Sequence, residues 1–299
     1  MPLRILFIGD VVGAPGRKIV TQVLPRLIHR WELGLVVCNA ENVAGGSGLT
    51  VRCYEELREA GVDVLTMGDH VYRKDEIYQV FEHSDRALKP ANFPLDSPGP
   101  ELAFVEARDG TPVAVFTVLG RTYMRPVDCP FRAADRVLER IGDGTRLIVV
   151  DLHAEATSDK QLLGRYLDGR VTAALGTHTH VTTADEQILK GGTAYQTDVG
   201  MTGGHDSILG RRYDRVLAAT LSFVPCHFDV ASGDPRLSAT LVEAEPLTGK
   251  ASFIQRVSIR EDDVRRLLTD LAFESPRSAG STEPLGEHQE PRDDPPHRP

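Results

Sequence analysis

Side chains that can bind metals follow the ends of five short apolar segments of this chain. The segments are LRILFIG, LGLVVCNA, VDVLTMG, RLIVVDL and VTAALGT. Their length and β-branched residues predict buried parallel strands. In an open α/β sheet, the functional crevice lies at the carboxyl ends of the strands. Eight side chains are therefore expected to converge at one edge: Asp10, Glu41, Asn42, Asp69, His70, His153, His178 and His180.

The order of the predicted elements indicates an α/β fold. Strands are predicted near 3–9, 34–39, 62–66, 146–151, 171–175, 186–189, 193–197, 237–245 and 251–260, with a hairpin over 101–120. Helices are predicted near 16–31, directly after Pro15, and near 50–60, 74–82, 131–141, 159–167 and 211–223. The alternation in the first half predicts a mainly parallel sheet, whereas the strands from 186 onwards are expected to be antiparallel. Two mixed sheets covered by outer helices accommodate both halves.

Residues 274–299 differ in composition from the rest of the chain. Six prolines stand there among Ser, Gly, Glu, Asp and Arg, with almost nothing apolar. Such a segment cannot bury enough surface to offset its ordering entropy, so a disordered tail is predicted. No internal repeat and no linker is visible before about residue 260, so residues 1–273 are predicted to form a single domain.

Charge and hydropathy narrow the classes of function. A formal net charge of −9 argues against stable binding to DNA or to anionic membranes. It does not exclude small phosphorylated substrates, because bound cations invert the local field. No apolar run approaches the roughly 20 residues that span a bilayer, and the N-terminus lacks a signal-peptide pattern. A cytoplasmic location without membrane partners is expected.

The segment GTHTH carries the strongest single signal. His178 and His180 lie two residues apart just beyond a predicted strand, and in extended backbone such residues project to the same side. An isolated H-x-H is more simply explained as a polar turn with two exposed histidines. Because other ligand-type residues recur at equivalent strand ends, a metal site is the favoured interpretation.

Several longer stretches carry a resemblance to a known family. They are FIGDVVGAPGR, AENVAGG, MGDHVY, LGRTYM, DLHAEATS, GTHTHVTTAD and GGTAYQTDVGMTGGHDS. Over essentially residues 3–260 the chain resembles the calcineurin-like metallophosphoesterases and, within them, the bacterial YmdB-like branch. The resemblance implies the metallophosphoesterase fold, a four-layer α/β/β/α sandwich of two mixed sheets, and also suggests a homo-oligomer.

The resemblance further implies a centre with two metal ions. One ion would be held by Asp10, Glu41, Asn42 and His180. The second would be bridged by Glu41 and completed by Asp69, His153 and His178. Iron or manganese is the expected metal, with zinc or magnesium as the other candidates. The residues that contact the substrate are left open.

The implied activity is hydrolysis of small phosphodiesters, in particular 2′,3′-cyclic nucleotides. Two adjacent cations can share a hydroxide, lower its pKa and neutralise the phosphate oxygens during in-line attack. The leaving alkoxide then needs a proton, and histidine can supply one near neutral pH. His70 is assigned this role of general acid by the resemblance. The alternative for His70 is that it orients Asp69 without contacting the substrate.

One residue departs from the family pattern, which is usually G-N-H where this chain has Gly68-Asp69-His70. A carboxylate at this position adds a negative charge that an amide does not carry. The centre should then bind its metals more tightly but acidify its water less. We therefore hypothesise an altered rate or metal preference, which comparison of Asp69→Asn with the parent tests.

Two other functions stay open. The same centre could hydrolyse phosphomonoesters, as a phosphomonoesterase or nucleotidase, and turnover of bis- and mono-p-nitrophenyl phosphate separates the two activities. The chain could also be a regulatory protein that binds partners and keeps a largely structural metal site. In that case Glu41→Gln would abolish hydrolysis but preserve the cellular phenotype.

Overall fold

The computed structural model of the protein describes residues 1–269. The strands are β1 Leu3–Ile8, β2 Asp10–Val11, β3 Leu35–Asn39, β4 Val64–Thr66, β5 Ala87–Leu88, β6 Leu102–Glu106, β7 Pro112–Leu119, β8 Leu147–His153, β9 Ala173–Thr177, β10 Gln187–Ile188, β11 Ala194–Gln196, β12 Met201–Gly204, β13 Pro235–Ala244 and β14 Ala251–Arg260. The helices are α1 Gly13–Arg30, α2 Val51–Glu59, α3 Glu76–His83, α4 Pro130–Ile141, α5 Thr157–Leu167, α6 Tyr213–Ser222 and α7 Glu261–Thr269. The predicted tail 274–299 lies outside the described residues, and the predicted single domain 1–273 stays a prediction.

The strands form two mixed sheets. The first sheet has the order β2-β12-β13-β1-β3-β4-β5, and β14 pairs with β13. Its strands β1, β3, β4 and β5 are parallel, whereas β13 is antiparallel to β1, β12 and β14. The second sheet has the order β10-β11-β9-β8-β7-β6. Its central strands β7, β8, β9 and β11 are parallel, with the antiparallel strands β6 and β10 at the edges.

Three apolar cores separate the layers. The middle core lies between the two sheets and includes Phe7 of β1 and Val149 of β8. Because successive side chains of a strand point to opposite faces, Ile8 belongs instead to the core beneath α1 and α2. In the same way, Val150 packs in the core beneath α4 and α5. Helices, sheet, sheet and helices therefore follow one another, and the predicted four-layer α/β/β/α sandwich is confirmed.

Some elements differ from the prediction. Strand β11 is parallel to β9, so the expectation that all late strands are antiparallel was wrong. The short strand β10 runs back antiparallel to β11, which lets β11 return alongside β9 in the same direction. Helix α1 begins at Gly13, so Pro15 lies in its first turn, where a missing N–H costs no hydrogen bond. The strands β2, β5 and β12 and the helix α7 were not predicted.

The length and composition of the helices bear on membrane crossing. Among residues 1–269, no helix is both long enough and apolar enough to cross a bilayer. The cytoplasmic location stays a prediction.

Candidate metal centre

The eight predicted side chains come together where strands of the two sheets end. Asp10 begins β2, Glu41 and Asn42 follow β3, Asp69 and His70 follow β4, His153 ends β8, and His178 and His180 follow β9. Four of them are almost fully buried: Asp10, Glu41, Asn42 and His153. Buried charged groups are costly unless they are paired or bind a cation. The arrangement therefore needs a physical explanation beyond the packing of the core.

Glu41, Asp69, His153 and His178, here called the Asp69 group, form a compact set. Each offers one ligand atom, and these atoms all lie within 4.8 Å of one another. The Nε2 of His153 is 3.3 Å from Glu41 Oε2 and 3.3 Å from Asp69 Oδ1. Ligands about 2.1 Å from a tetrahedral ion lie about 3.4 Å apart. The spacing of the Asp69 group fits one bound ion.

Asp10, Glu41, Asn42 and His180, here called the Asp10 group, lie next to it. The Nε2 of His180 is 3.5 Å from Asp10 Oδ1 and 3.2 Å from the amide nitrogen of Asn42. Within residues 1–269, Asp10 Oδ1 is buried and has no hydrogen-bond partner. A buried carboxylate oxygen without a donor is a natural cation ligand. Asp10 Oδ1 and His180 Nε2 are therefore candidate ligands for a second ion.

Glu41 spans the two groups. Its Oε2 faces His153 in the Asp69 group, whereas its Oε1 lies 3.3 Å from the amide nitrogen of Asn42 in the Asp10 group. One carboxylate with an oxygen towards each set is the arrangement that a bridging ligand requires. The geometry is consistent with two adjacent ions.

Asn42 is the one residue whose orientation does not match its predicted role. Its Nδ2 faces Glu41 and His180, and its Oδ1 lies 2.8 Å from His70 Nδ1. An amide binds a metal ion through its oxygen, so Asn42 would have to rotate its amide by about 180° to become a ligand. The role of Asn42 as a ligand stays a prediction.

The two histidines of GTHTH reach the site through a turn. His178 has a φ of 88° and His180 a φ of 63°, so the expectation of extended backbone at this segment was wrong. The turn separates the imidazoles: His178 Nδ1 lies 3.1 Å from His153 Nε2, whereas His180 Nε2 faces Asp10. Left-handed backbone is rare for residues with a Cβ and often marks a functional site.

His70 lies at the junction of the two groups. Its backbone N–H donates to Glu41 Oε2 at 3.1 Å, and its Nε2 is 3.7 Å from Asp69 Oδ2. The side chain is 25% exposed, whereas that of His153 is fully buried. The side chain is thus open to substrate and also lies beside Asp69, and its role as general acid stays a prediction.

The carboxylates and histidines of the site shift one another's pKa values. Burial disfavours the ionised carboxylate of Asp10, but His180 and His153 hold its pKa well below the ordinary value. The pKa of Glu41 and the pKa of Asp69 are also lowered, despite burial, chiefly through His153. Conversely, Glu41 and Asp69 outweigh burial and raise the pKa of His153 well above the ordinary value. The carboxylates thus attract positive charge, and a bound cation would displace the imidazole protons.

A buried network behind His153 was not predicted. Thr177 Oγ1 donates to Asp151 Oδ1 at 2.6 Å and lies 2.8 Å from His153 Nδ1. Since the hydroxyl has one proton, it accepts from Nδ1, which leaves Nε2 of His153 free to bind an ion. Burial raises the pKa of Asp151 to about 6. The sequence signal that could have revealed this network is Asp151, a carboxylate two residues before His153 inside a buried strand.

The other two histidines have comparable partners. Glu155 Oε2 lies 3.3 Å from His178 Nε2, and the carbonyl oxygen of Leu209 lies 3.1 Å from His180 Nδ1. In each case the ring nitrogen on the far side from the predicted ion contacts an acceptor. Such contacts commonly fix the tautomer and orientation of metal-binding histidines.

The chain is similar to several known proteins. A family model described as YmdB-like protein matches residues 6–257. A curated relative from Bacillus subtilis (strain 168), named 2′,3′-cyclic-nucleotide 2′-phosphodiesterase, is 44% identical over 260 residues, which cover 87% of this chain and 98% of the relative.

Two solved structures share the fold over nearly their whole length. One is a protein of Thermus thermophilus described as hypothetical, with a TM-score of 0.81, 43% identity and coverage of 86% of this chain and 99% of that chain. The other is from Mycoplasma pneumoniae and is described as a novel phosphatase, with a TM-score of 0.81, 32% identity and coverage of 90% and 98%. The chain therefore belongs to the YmdB-like family and has a fold of the metallophosphoesterase type.

Proposed function

We propose that this protein is a metal-dependent phosphoric diester hydrolase that acts on small phosphodiesters, with 2′,3′-cyclic nucleotides as the favoured substrates. The observation that carries the proposal is the position of Glu41, whose two oxygens face two separate ligand sets. The name of the Bacillus subtilis relative supports the substrate class. The net charge of −9 favours a small substrate over stable DNA binding.

The proposed ligands are those of the two groups. Asp10, Glu41, Asn42 and His180 would hold one ion, and Glu41, Asp69, His153 and His178 would hold the other. Three imidazoles among carboxylates suit iron or manganese, and zinc or magnesium are the other candidates. When bound, such a pair of cations supplies a nucleophilic hydroxide at neutral pH and offsets the charge of the phosphate.

The chain's own contribution to the chemistry centres on His70. The imidazole lies 3.5 Å from Glu41 through its Nδ1 and is partly exposed, so it borders the predicted ions and is open to substrate. We propose that it donates a proton to the alkoxide that leaves the phosphorus. Its Nδ1 lies 2.8 Å from Asn42 Oδ1 and its Nε2 lies 3.7 Å from Asp69 Oδ2, so contacts on two sides of the ring hold it at this place.

A second candidate is phosphomonoester hydrolysis. The Mycoplasma pneumoniae structure, at 32% identity, is described as a phosphatase, and the same ligand geometry can serve either bond. Monoesters and diesters differ in how many phosphate oxygens carry charge. Comparing the turnover of a monoester with that of the corresponding diester therefore discriminates between the two activities.

The test uses the full-length protein after metal analysis and incubation with Mn²⁺. We expect hydrolysis of 2′,3′-cyclic AMP, with cleavage of the 2′ ester to give adenosine 3′-phosphate, and faster turnover of bis- than of mono-p-nitrophenyl phosphate. Glu41→Gln should lose this activity, whereas Glu106→Gln, on an exposed position of β6, should keep it. A protein that carries two ions but hydrolyses no diester would contradict the proposal, and faster monoester turnover would favour the second candidate.

A further inference from the structure

A buried ion pair lies beneath the turn that carries His178 and His180. Lys160 of α5 donates from Nζ to Asp198 Oδ2 at 2.7 Å, and the side chains of both residues are fully buried. Replacing a buried pair of this kind by apolar residues is often neutral or stabilising. Stability of the core alone therefore does not account for its presence.

The contacts of the pair converge on Thr179. Asp198 Oδ2 accepts from the backbone N–H of Thr179 at 3.1 Å and from its hydroxyl. Lys160 Nζ lies 2.9 Å from the same hydroxyl oxygen. Asp198 Oδ1 accepts from Gly200 N at 2.7 Å, which fixes the carboxylate from the opposite side. Thr179 is thus held through both its backbone and its side chain.

Thr179 is the centre of the turn that separates the two histidines. The residues on either side of it, His178 and His180, both have left-handed backbone. Such conformations persist only where the surroundings determine them. One neighbour points to His153 in the Asp69 group and the other to Asp10 in the Asp10 group. The position of Thr179 therefore sets how far apart the two imidazoles lie.

We infer that Lys160, Asp198 and Thr179 are positioning residues that hold His178 and His180 towards two different metal ions. The inference rests on the proposed function, because it assigns the two histidines to separate ions. The pair does not supply a ligand itself. It keeps the backbone of the turn in the one conformation that presents both imidazoles at once.

The experiment measures Mn²⁺ binding by isothermal titration calorimetry on metal-depleted, full-length protein. Thr179→Val removes the hydroxyl and keeps the shape, and Thr179→Ser restores the hydroxyl. The control is Thr193→Val, because Thr193 is a buried residue at the opposite end of the same sheet whose hydroxyl donates to Val171 O and accepts from Gly169 N. Thermal unfolding of the metal-free forms reports the structural cost of each change.

We expect Thr179→Val to raise the Kd for Mn²⁺ about 10- to 100-fold, the usual effect of losing a group that orients metal ligands. Thr179→Ser should bind Mn²⁺ like the parent, and Thr193→Val should lose thermal stability without a change in Kd. A Kd for Thr179→Val within twofold of the parent overturns the inference and leaves the proposed function intact. Equal weakening by Thr193→Val also overturns it, since the effect would then be structural.

If Thr179→Val does not fold, the double variant Lys160→Met with Asp198→Leu provides the same measurement, because it removes both charges and both acceptor oxygens of Asp198 together. An unchanged Kd in that variant overturns the inference. A parent protein that binds no Mn²⁺ overturns the proposed function and the inference together.

Discussion

The two halves of the candidate centre are built in different ways. In the Asp69 group, His153 is the last residue of β8, and its ring lies against buried Thr177. In the Asp10 group, the ring of His180 is oriented by the carbonyl of Leu209. Leu209 has a φ of 51° and is 49% exposed. Buried strand residues orient His153 in one half, and a surface loop orients His180 in the other.

This difference suggests unequal affinities for metal. Preorganised ligands lose little conformational freedom when an ion binds, and the Asp69 group is preorganised by the buried contacts of Thr177 and Asp151. In the Asp10 group, the amide oxygen of Asn42 faces His70 and would have to turn. We therefore expect the ion of the Asp69 group to bind first and more tightly.

The largest effect should come from the residue that the two halves share. Glu41→Gln removes the charge between both ions. We therefore expect kcat/KM for a diester to fall by at least about a thousandfold, which at about 1.4 kcal/mol per factor of ten corresponds to about 4 kcal/mol of lost transition-state stabilisation. Metal analysis should give fewer than two ions per chain. The exposed variant Glu106→Gln is the matched control, and a Glu41→Gln protein with full activity would remove the basis for a bridged centre.

The next prediction separates the halves. His180→Asn should leave one tightly bound ion, whereas His178→Asn should weaken the tighter of the two sites, because only the second change lies in the Asp69 group. Metal stoichiometry and stepwise Kd values measured by calorimetry provide the comparison. If both variants weaken the same site equally, the division into two groups is wrong.

Asp69→Asn should have a smaller effect. The change removes one negative charge from the Asp69 group, so metal binding should weaken by about tenfold or less while the acidic limb of the pH–rate profile moves to lower pH. The profile of kcat and the Kd for Mn²⁺ are the measurements. Identical metal content and rates in the two proteins would exclude a role for this departure from the family's usual asparagine.

The smallest predicted effect concerns the metal-free protein and pH. Because the pKa of His153 is raised above its ordinary 6.5, its pairing with the carboxylates stabilises the fold fully below about pH 6.5 and is lost as pH rises through the folded pKa. The Tm of the chelator-treated protein should therefore fall by a few degrees from pH 6.5 upwards.

The metal-loaded protein provides the contrast for this pH series. Metal ions compete with protons for the imidazoles, so metal binding should strengthen as pH rises. The difference in Tm between loaded and metal-free protein should then widen with pH. A constant difference between pH 6 and 9 would mean that His153 is not a ligand.

Several features of the fold were predictable from local pattern. The side chains of Phe7 and Ile8 point to opposite faces of their strand, as do those of Val149 and Val150, and this follows from the two-residue period of a strand. Both sheets were also expected. Strand β11 was misjudged because the direction of a three-residue strand relative to its sheet depends on which strands it pairs with, and β11 pairs with β9 as well as with β10, the strand that precedes it in the chain.

The candidate site was likewise only partly predictable from the sequence. The residue types at the strand ends, such as Asp10, Glu41 and His153, could be read directly, since parallel strands end at one edge. The left-handed backbone of His178 and the contacts of Thr179 with Asp198 could not. They arise from packing between segments that no local propensity relates, and strained backbone is imposed by surroundings rather than by the residue itself.

By itself, the sequence determined which chemical groups are available and on which edge of the sheets they lie, because strand period and α/β connectivity are local rules. The tertiary structure decided how those groups are divided. Glu41 faces both sets, and Lys160 and Asp198 hold the turn between two histidines. Metal coordination depends on differences of a few tenths of an ångström, and only the packing of distant segments fixes positions on that scale.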